Sequence, residues 1–235
     1  AGNYYKDQLI ETNGGKPVMT PGYTTDNYTK WAAEFINGKH RDAKKPWYLW
    51  VCYGAVHGPF TPAKRHLEAF PNIKVPAPKD IFPPRIGKPA YVRNLNRWSK
   101  GENGVPILKR FAARTVNVSG IHGNTLTDWV RQYHQGVLPI DEGVGKLIAA
   151  LKASGEMDNT VVMFMSDHGM PLPFAKTQLY HHSTHTPWMV RWPGVTKSGS
   201  VDKQHMISAV DFLPTILDIT GTKYPERLDG RSYLP

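Results

Sequence analysis

An α/β fold with a mostly parallel sheet is the class this sequence predicts, on three observations. Residues 46–53 (Pro-Trp-Tyr-Leu-Trp-Val-Cys-Tyr), 160–165 (Thr-Val-Val-Met-Phe-Met) and 187–192 (Pro-Trp-Met-Val-Arg-Trp) are apolar runs of strand length. The first two are continuously apolar rather than alternating, the pattern of a strand covered on both faces. Stretches of helical periodicity lie between and after them, and strand–helix alternation is the signature of layered α/β proteins. A length of 235 residues with 40% apolar composition fits one domain, or two small ones, with ample material for a core.

The elements follow in order. Residues 1–21 are polar and Gly-rich, with no clear periodicity. Thr25-Asp26 reads as a helix start, since Tyr28, Trp31, Ala32, Phe35 and Ile36 recur at helical spacing and Gly38 closes the pattern. The 46–53 run then reads as a strand, with Cys52 as a small buried hydrophobe inside it. Residues 71–120 hold seven Pro and read as an irregular excursion with a short helix near 107–113; loops of this length are usually functional or mobile. Thr127 opens a long helix in which Val130, Tyr133, Val137, Ile140, Val144, Leu147, Ile148 and Leu151 share one broad face. Pro139 should kink or break that helix and Gly155 should stop it. The 160–165 strand runs into Ser166-Asp167-His168-Gly169, and the 187–192 strand closes at Pro193-Gly194. Residues 207–219 read as a short helix whose Pro214 demands a kink or a late start.

Composition excludes several classes. Seven Trp, eight Phe and eleven Tyr are too many for a disordered chain. No run approaches the ~20 apolar residues of a membrane span. One Cys excludes an internal disulfide framework and a Cys-based zinc site. The nucleotide-binding patterns G-x-G-x-x-G and G-x-x-x-x-G-K-[ST] and the hydrolase elbow G-x-S-x-G do not occur. No signal peptide is visible at Ala1, and N-x-S/T triplets begin at Asn27 and Asn117.

The net charge of +10 points to an anionic partner: nucleic acid, anionic lipid, phosphate or sulfated sugar. The charge is concentrated in 71–120, where ten Lys/Arg face only Asp80 and Glu102. That segment reads either as a solvated Lys-rich surface or as an anion-attracting wall. Nucleic acid is the weaker rival, because the segment has few aromatics to stack bases (Phe82, Tyr91, Trp98, Phe111) and no binding motif.

Candidate chemistry gathers after the strands. In open α/β sheets the site lies at the carboxyl ends of strands. His57 stands there, in the turn Gly54-Ala55-Val56-His57-Gly58-Pro59-Phe60. Asp167 and His168 leave the 160–165 strand together; both can ligate a divalent metal, through oxygen and neutral nitrogen. The plainer reading is a capped turn, with Asp167 accepting backbone N–H bonds and His168 exposed. Lys176, nine residues on, is a compact charge suited to a tetrahedral oxyanion, although alone it reads as a surface lysine. His181, His182 and His185 cluster nearby, more in the manner of a solvated loop than of a metal site. His40, His66, His122, His134 and His205 show no pattern and read as structural.

Taken in order, the stretches Gly22-Tyr-Thr-Thr-Asp26, Lys45-Pro-Trp-Tyr-Leu-Trp-Val, Val56-His57-Gly-Pro, Ile140-Asp-Glu-Gly-Val-Gly-Lys-Leu-Ile, Asp158-Asn-Thr-Val-Val-Met-Phe-Met-Ser-Asp-His-Gly169, Thr186-Pro-Trp-Met-Val-Arg-Trp-Pro-Gly194, Val210-Asp-Phe-Leu-Pro-Thr-Ile-Leu and Leu228-Asp-Gly-Arg-Ser-Tyr-Leu-Pro235 resemble the sulfatase family of the alkaline-phosphatase-like superfamily. Pro-Leu-Pro-Phe-Ala-Lys-Thr-Gln-Leu-Tyr180 looks most like the heparan N-sulfatase (sulfamidase) branch. The resemblance implies a three-layer α/β/α sandwich, here incomplete at its N-terminal side, with the whole chain as part of one catalytic domain. It implies hydrolysis of a sulfate ester, or an N-sulfate, on a sulfated carbohydrate or other anionic small molecule or polysaccharide. It also implies an exported protein (periplasmic, extracellular or lysosomal) and leaves the oligomeric state open.

By the same resemblance Asp167 supplies carboxylate oxygen to the active-site cation, usually Ca2+, which prefers oxygen. His168 takes the next ligand position, where many sulfatases have Asn; His there is nearer phosphonate monoester hydrolases and choline sulfatases, and admits Mn2+ or another metal. Lys176 holds a sulfate oxygen. His57 contacts the sulfate or protonates the leaving oxygen. Sulfatases use a formylglycine made from a Cys/Ser-x-Pro-x-Arg motif, and these 235 residues contain none, since Cys52 is followed by Tyr-Gly-Ala-Val. The family's two further metal Asp and its Lys/His pair are missing too, so the nucleophile is expected outside this chain, which by itself should be inactive. A phosphonate or phosphate monoester hydrolase of the same superfamily, and a non-catalytic anion-binding relic, are the alternatives.

Overall fold

A computed structural model describes residues 4–109, 123–170, 176, 178–224 and 227–234. The chain divides into two compact units, Ala1–Met157 and Asp158–Pro235.

In the first unit, strands β1 (Lys6–Ile10) and β2 (Val18–Tyr23) form an antiparallel pair and lead into helix α1 (Thr24–Ile36). The expected helix is therefore present, buried through Thr25, Thr29, Ala32 and Ile36. At the triplet beginning at Asn27, the Asn27 amide donates to the Pro21 carbonyl and Thr29 is buried. Helix α3 (Leu126–Ala153) is the long helix that the periodicity forecasts. Thr125 caps it, with Thr125 Oγ1 accepting from the Asp128 N–H and the Asp128 carboxylate accepting from the Thr125 N–H. The helix runs through Pro139 unbroken, and Gly155, at φ +75°, follows its end.

Glycines on α3 set how closely its neighbours approach. A Cβ at Gly143 would lie 2.6 Å from Thr29 Oγ1 and 2.8 Å from the Tyr53 hydroxyl; one at Gly136 would lie 3.0 Å from Val56. The helix also ties down the chain beyond His57. Gln132 donates to the Phe60 carbonyl and Gln135 to those of Leu67 and Ala69, while the buried Phe60 ring packs edge-on against Trp129 and Tyr133. Arg65 forks onto Asp26 of α1 at 2.8 and 2.9 Å and reaches Glu142 of α3 at 2.6 Å.

The 46–53 run corrects two expectations. It has no regular secondary structure and takes no part in any of the three described ladders. Its side chains alternate: Trp47, Leu49, Val51 and Tyr53 are half-buried, whereas Tyr48, Trp50 and Cys52 are exposed. Cys52 is thus an exposed thiol rather than a core residue. Nothing among the described residues covers that second face as a parallel-sheet strand would be covered.

The basic excursion has more order than expected. It contains the short helix α2 (Ala90–Arg93) and an antiparallel pair, β3 (Trp98–Lys100) with β4 (Pro106–Leu108). The helix expected near 107–113 is instead β4 at its start, and its remainder lies outside the described residues. Arg85 is 3% exposed and donates to four carbonyls, those of Asp80, Ile81, Val92 and Leu95, at 2.6–2.9 Å. One of the ten basic residues therefore organises the loop and is not presented to an anion. Lys74, Lys79, Arg93, Arg97, Lys100 and Lys109 are exposed.

In the second unit, β5 (Val162–Met165) pairs with β6 (Trp188–Arg191) in antiparallel register, Val162 opposite Arg191 and Met165 opposite Trp188. Both strands were expected, but all three ladders among the described residues are antiparallel, so a mostly parallel sheet is not what these pairs form. The short helix α4 (His181–Thr184) lies between them in sequence. Helix α5 (Phe212–Thr220) follows a single 3-10 turn, Ala209–Asp211. Pro214 falls in its first turn, where no N–H is missed, so of the two alternatives the sequence left open, a kink or a late start, the helix takes the late start. The tail returns along α5: the Asp211 carboxylate accepts from the Arg231 N–H, and Tyr233 receives the Trp188 indole N–H at 3.1 Å.

Candidate active site

The Asp167–His168 turn is built by the end of the β5–β6 ladder. Beyond Met165 the Ser166 N–H still reaches the Pro187 carbonyl at 3.4 Å, and the Ser166 hydroxyl then donates to the His168 carbonyl at 2.8 Å. The chain turns there, and Asp167 Oδ1 accepts the His168 N–H at 2.9 Å. Asp167 remains open, with 84% of its side chain exposed. So far this is the capped turn of the plainer reading, except that His168 is only half-exposed.

The imidazole decides what else the turn can do. His168 Nδ1 lies 2.9 Å from the Gly169 carbonyl, which can only accept, so Nδ1 carries the hydrogen. In the neutral ring this leaves the lone pair on Nε2, 3.4 Å from Asp167 Oδ2. Two neighbouring ligands of one cation at ~2.3–2.6 Å, about a right angle apart, stand roughly 3.2–3.7 Å from each other. The pair therefore fits one edge of a divalent cation's shell, with a carbonyl fixing the ring orientation as metal-bound histidines usually require. The pair alone is not a complete ligand set: among the described residues no group of three or more His, Cys, Asp or Glu could hold a metal.

Gly169 locks the turn onto α4. Its N–H donates to the Ser183 carbonyl at 2.8 Å, and a Cβ on it would fall 1.8 Å from the His182 carbonyl oxygen. Nothing in the sequence patterns singled out this contact. The histidine cluster is partly a surface feature: His181 and His185 are exposed and stack on each other with ring centroids 4.7 Å apart. Lys176 sits half-buried in a turn of this same unit.

His57 belongs to the first unit and is exposed in its predicted turn. Its geometry repeats that of His168, since Nδ1 lies 2.8 Å from the carbonyl of the following glycine, Gly58. Nε2 is again the nitrogen left for chemistry. The Tyr4 ring lies tilted against the imidazole at a centroid distance of 4.5 Å, and the buried Tyr5 hydroxyl donates to the His57 carbonyl. The sequence had marked 1–21 only as polar and unpatterned, so both tyrosines were missed. The structure thus joins Asp167 to His168 directly, places Lys176 in their unit, and places His57 in the other. Two recesses of about 350 and 440 Å3 are lined by neither of these groups; the first opens beside Leu67, Asp128 and Arg131 and the second beside Pro214, Tyr224 and Arg231.

Known proteins match along nearly the whole chain. The family model described as Sulfatase matches residues 2–222. An N-acetylglucosamine-6-O-sulfatase of Bacteroides thetaiotaomicron is 29% identical over 278 aligned residues, covering 100% of this chain and 49% of the relative. A solved sulfated-sugar complex, described with its substrate D-glucosamine-2-N,6-O-disulfate, superposes with a TM-score of 0.75 at 27% identity, covering 98% of this chain and 55% of that one. The phosphonate monoester hydrolase of Silicibacter pomeroyi superposes with a TM-score of 0.58 at 21% identity, covering 98% of this chain and 45% of that one, a likeness of fold alone. The chain spans about half the length of the curated relative it matches end to end. The expected α/β class of alkaline-phosphatase-like sulfatases holds through these neighbours, although the described ladders are antiparallel.

Proposed function

The chain belongs to the sulfatase family, and from that premise we propose that it forms part of a catalytic domain hydrolysing the sulfate ester of a sulfated amino sugar. The observation that carries the proposal is the Asp167 Oδ2–His168 Nε2 pair at 3.4 Å, with His168 Nδ1 tied back so that Nε2 is free to ligate. Asp167 and His168 would hold the cation, Ca2+ by family habit, with Mn2+ or another metal admitted by the nitrogen donor. Such an ion, when bound, supplies positive charge to the sulfuryl oxygens.

The chain's own residues then divide the remaining work. The Lys176 ammonium offsets charge on a sulfate oxygen, as an oriented cation at a developing charge does. The His57 Nε2 contacts the sulfate or, from the imidazolium form, gives a proton to the leaving sugar oxygen, which needs one as the S–O bond breaks. The nucleophile, a formylglycine in this family, would come from outside these 235 residues. The relative named for the 6-sulfate of N-acetylglucosamine favours a 6-O-sulfated glucosamine over an N-sulfate, while the neighbour solved with a glucosamine 2-N,6-O-disulfate supports a sulfated glucosamine of either kind. The exposed Lys74, Lys79, Arg93, Lys100 and Lys109 would draw a sulfated polysaccharide toward the first unit.

The test is metal content and turnover in the complete enzyme. Asp167→Ala should abolish metal retention and sulfate release; elemental analysis showing unchanged metal refutes the ligand assignment. Parallel assays on glucosamine 6-sulfate, N-sulfoglucosamine and an aryl phosphonate should rank the 6-sulfate first. A faster phosphonate would transfer the chain to the phosphonate-hydrolase alternative.

A further inference from the structure

We propose that Tyr4 is a positioning residue for His57, holding the imidazole by its face while Tyr5 holds the same residue by its backbone. The inference rests on the reading of His57 as a sulfate-side group. It begins from a difficulty: His57 is exposed on a Gly/Pro turn, and an exposed imidazole ordinarily samples several rotamers. An imidazole that must meet an anion or pass a proton works only in one orientation.

Four contacts restrict it. The Tyr4 ring lies against the imidazole, centroids 4.5 Å apart and planes 39° from each other. The Gly58 carbonyl takes Nδ1 at 2.8 Å. The Tyr5 hydroxyl takes the His57 carbonyl, and the His57 N–H returns to the Gly54 carbonyl at 3.1 Å. Burial pushes the Tyr5 hydroxyl far above its ordinary range, so it remains a donor throughout working pH. Tyr5 is itself fixed, 2% exposed, with its carbonyl accepting the first N–H of α1, that of Thr24, at 2.9 Å.

Gly54 shows that the space is made for Tyr4. A Cβ there would stand 3.0 Å from Tyr4 Cδ1 and 3.1 Å from both Tyr4 Cβ and the Tyr4 carbonyl oxygen. The absence of a side chain at Gly54 is what lets the Tyr4 ring lie close enough to cover His57. A residue that only filled the surface would need neither the slot nor the stack.

The experiment uses the complete enzyme and the His57 ring resonances, assigned by comparison with His57→Ala. In the wild-type chain the stacked phenol should shift these resonances upfield, and inorganic sulfate should move them further. Tyr4→Leu fills the slot without a π face: the upfield shift should vanish and the sulfate response should weaken about three- to tenfold. Tyr4→Phe keeps the face and should restore both. The dispersion of the indole resonances reports that each variant is folded, and Tyr4→Ala gives a second truncation. Unaltered His57 shifts in Tyr4→Leu, or a failure of Tyr4→Phe to restore them, overturns the proposal. Loss and rescue of the ring shift with no sulfate response in any variant supports the positioning role, and sinks instead the assignment of His57 to the sulfate.

Discussion

A carbonyl on the glycine next in sequence fixes both candidate imidazoles, His57 through Gly58 and His168 through Gly169, and leaves Nε2 as the working nitrogen each time. The two rings differ in what stands beside Nε2: the Asp167 carboxylate at His168, and no charged partner at His57 among the described residues. Gly169→Ala tests how tightly the turn is held. With 1.8 Å to the His182 carbonyl, a methyl group forces either the turn or α4 to move. Metal affinity in the complete enzyme should fall at least as far as on loss of a supporting contact, about 10–100-fold. Unchanged metal affinity would show that the turn and α4 move together without consequence. Lys176→Ala should lower kcat by about 10²–10³ if the ammonium acts on the reacting sulfate, with the thermal midpoint little changed. A wild-type rate would remove Lys176 from the site.

At the scale of elements, α3 carries the first unit. Its N-terminal turn is closed by the Thr125–Asp128 box, its glycines admit α1 and the 46–56 segment, and its glutamines pin the chain after His57. Thr125→Ala removes one side of the box and should cost about 1 kcal/mol, read from the midpoint of urea unfolding. A variant as stable as the parent would mean that water satisfies the freed N–H equally well. The Arg65 fork onto Asp26 and Glu142 makes the α1–α3 contact acid-sensitive. Arg65 holds the Glu142 carboxyl below its ordinary value of 4.5. A carboxyl with a depressed folded pKa contributes stability that is fully present above its unfolded value and is lost as pH falls through the folded one. Unfolding should therefore become easier below about pH 4.5, and Glu142→Gln should flatten that part of the profile. An unaltered acid limb in Glu142→Gln would show the pair to be a surface contact of no consequence.

For the molecule as a whole, charge is the property that reaches furthest from the site. The exposed part of the basic excursion should bind a sulfated polysaccharide with affinity that falls steeply as salt rises. Replacing Lys74, Lys79, Arg93 and Lys100 together by Ser should reduce both the affinity and its salt dependence. Arg85→Ala should instead lower the thermal midpoint, because its guanidinium serves four carbonyls inside the loop. Equal effects from the two variants on polysaccharide binding would contradict that division of labour.

Sequence alone determined where most elements lie and which motif residues deserve attention. Helices α1, α3 and α5, strands β5 and β6 and the Asp167–His168 turn are all written locally, in periodicity and in the abrupt end of an apolar run. Ordered motifs along the chain likewise sufficed for the family. Tertiary structure decided what depends on a neighbour far along the chain. It exposed Cys52, because hydrophobicity reports a residue's preference and not whether anything covers it. It made the described ladders antiparallel, because strand direction is set by the partner. It spent Arg85 on carbonyls and brought Tyr4 over His57 through the gap at Gly54, contacts between residues whose spacing has no period to detect.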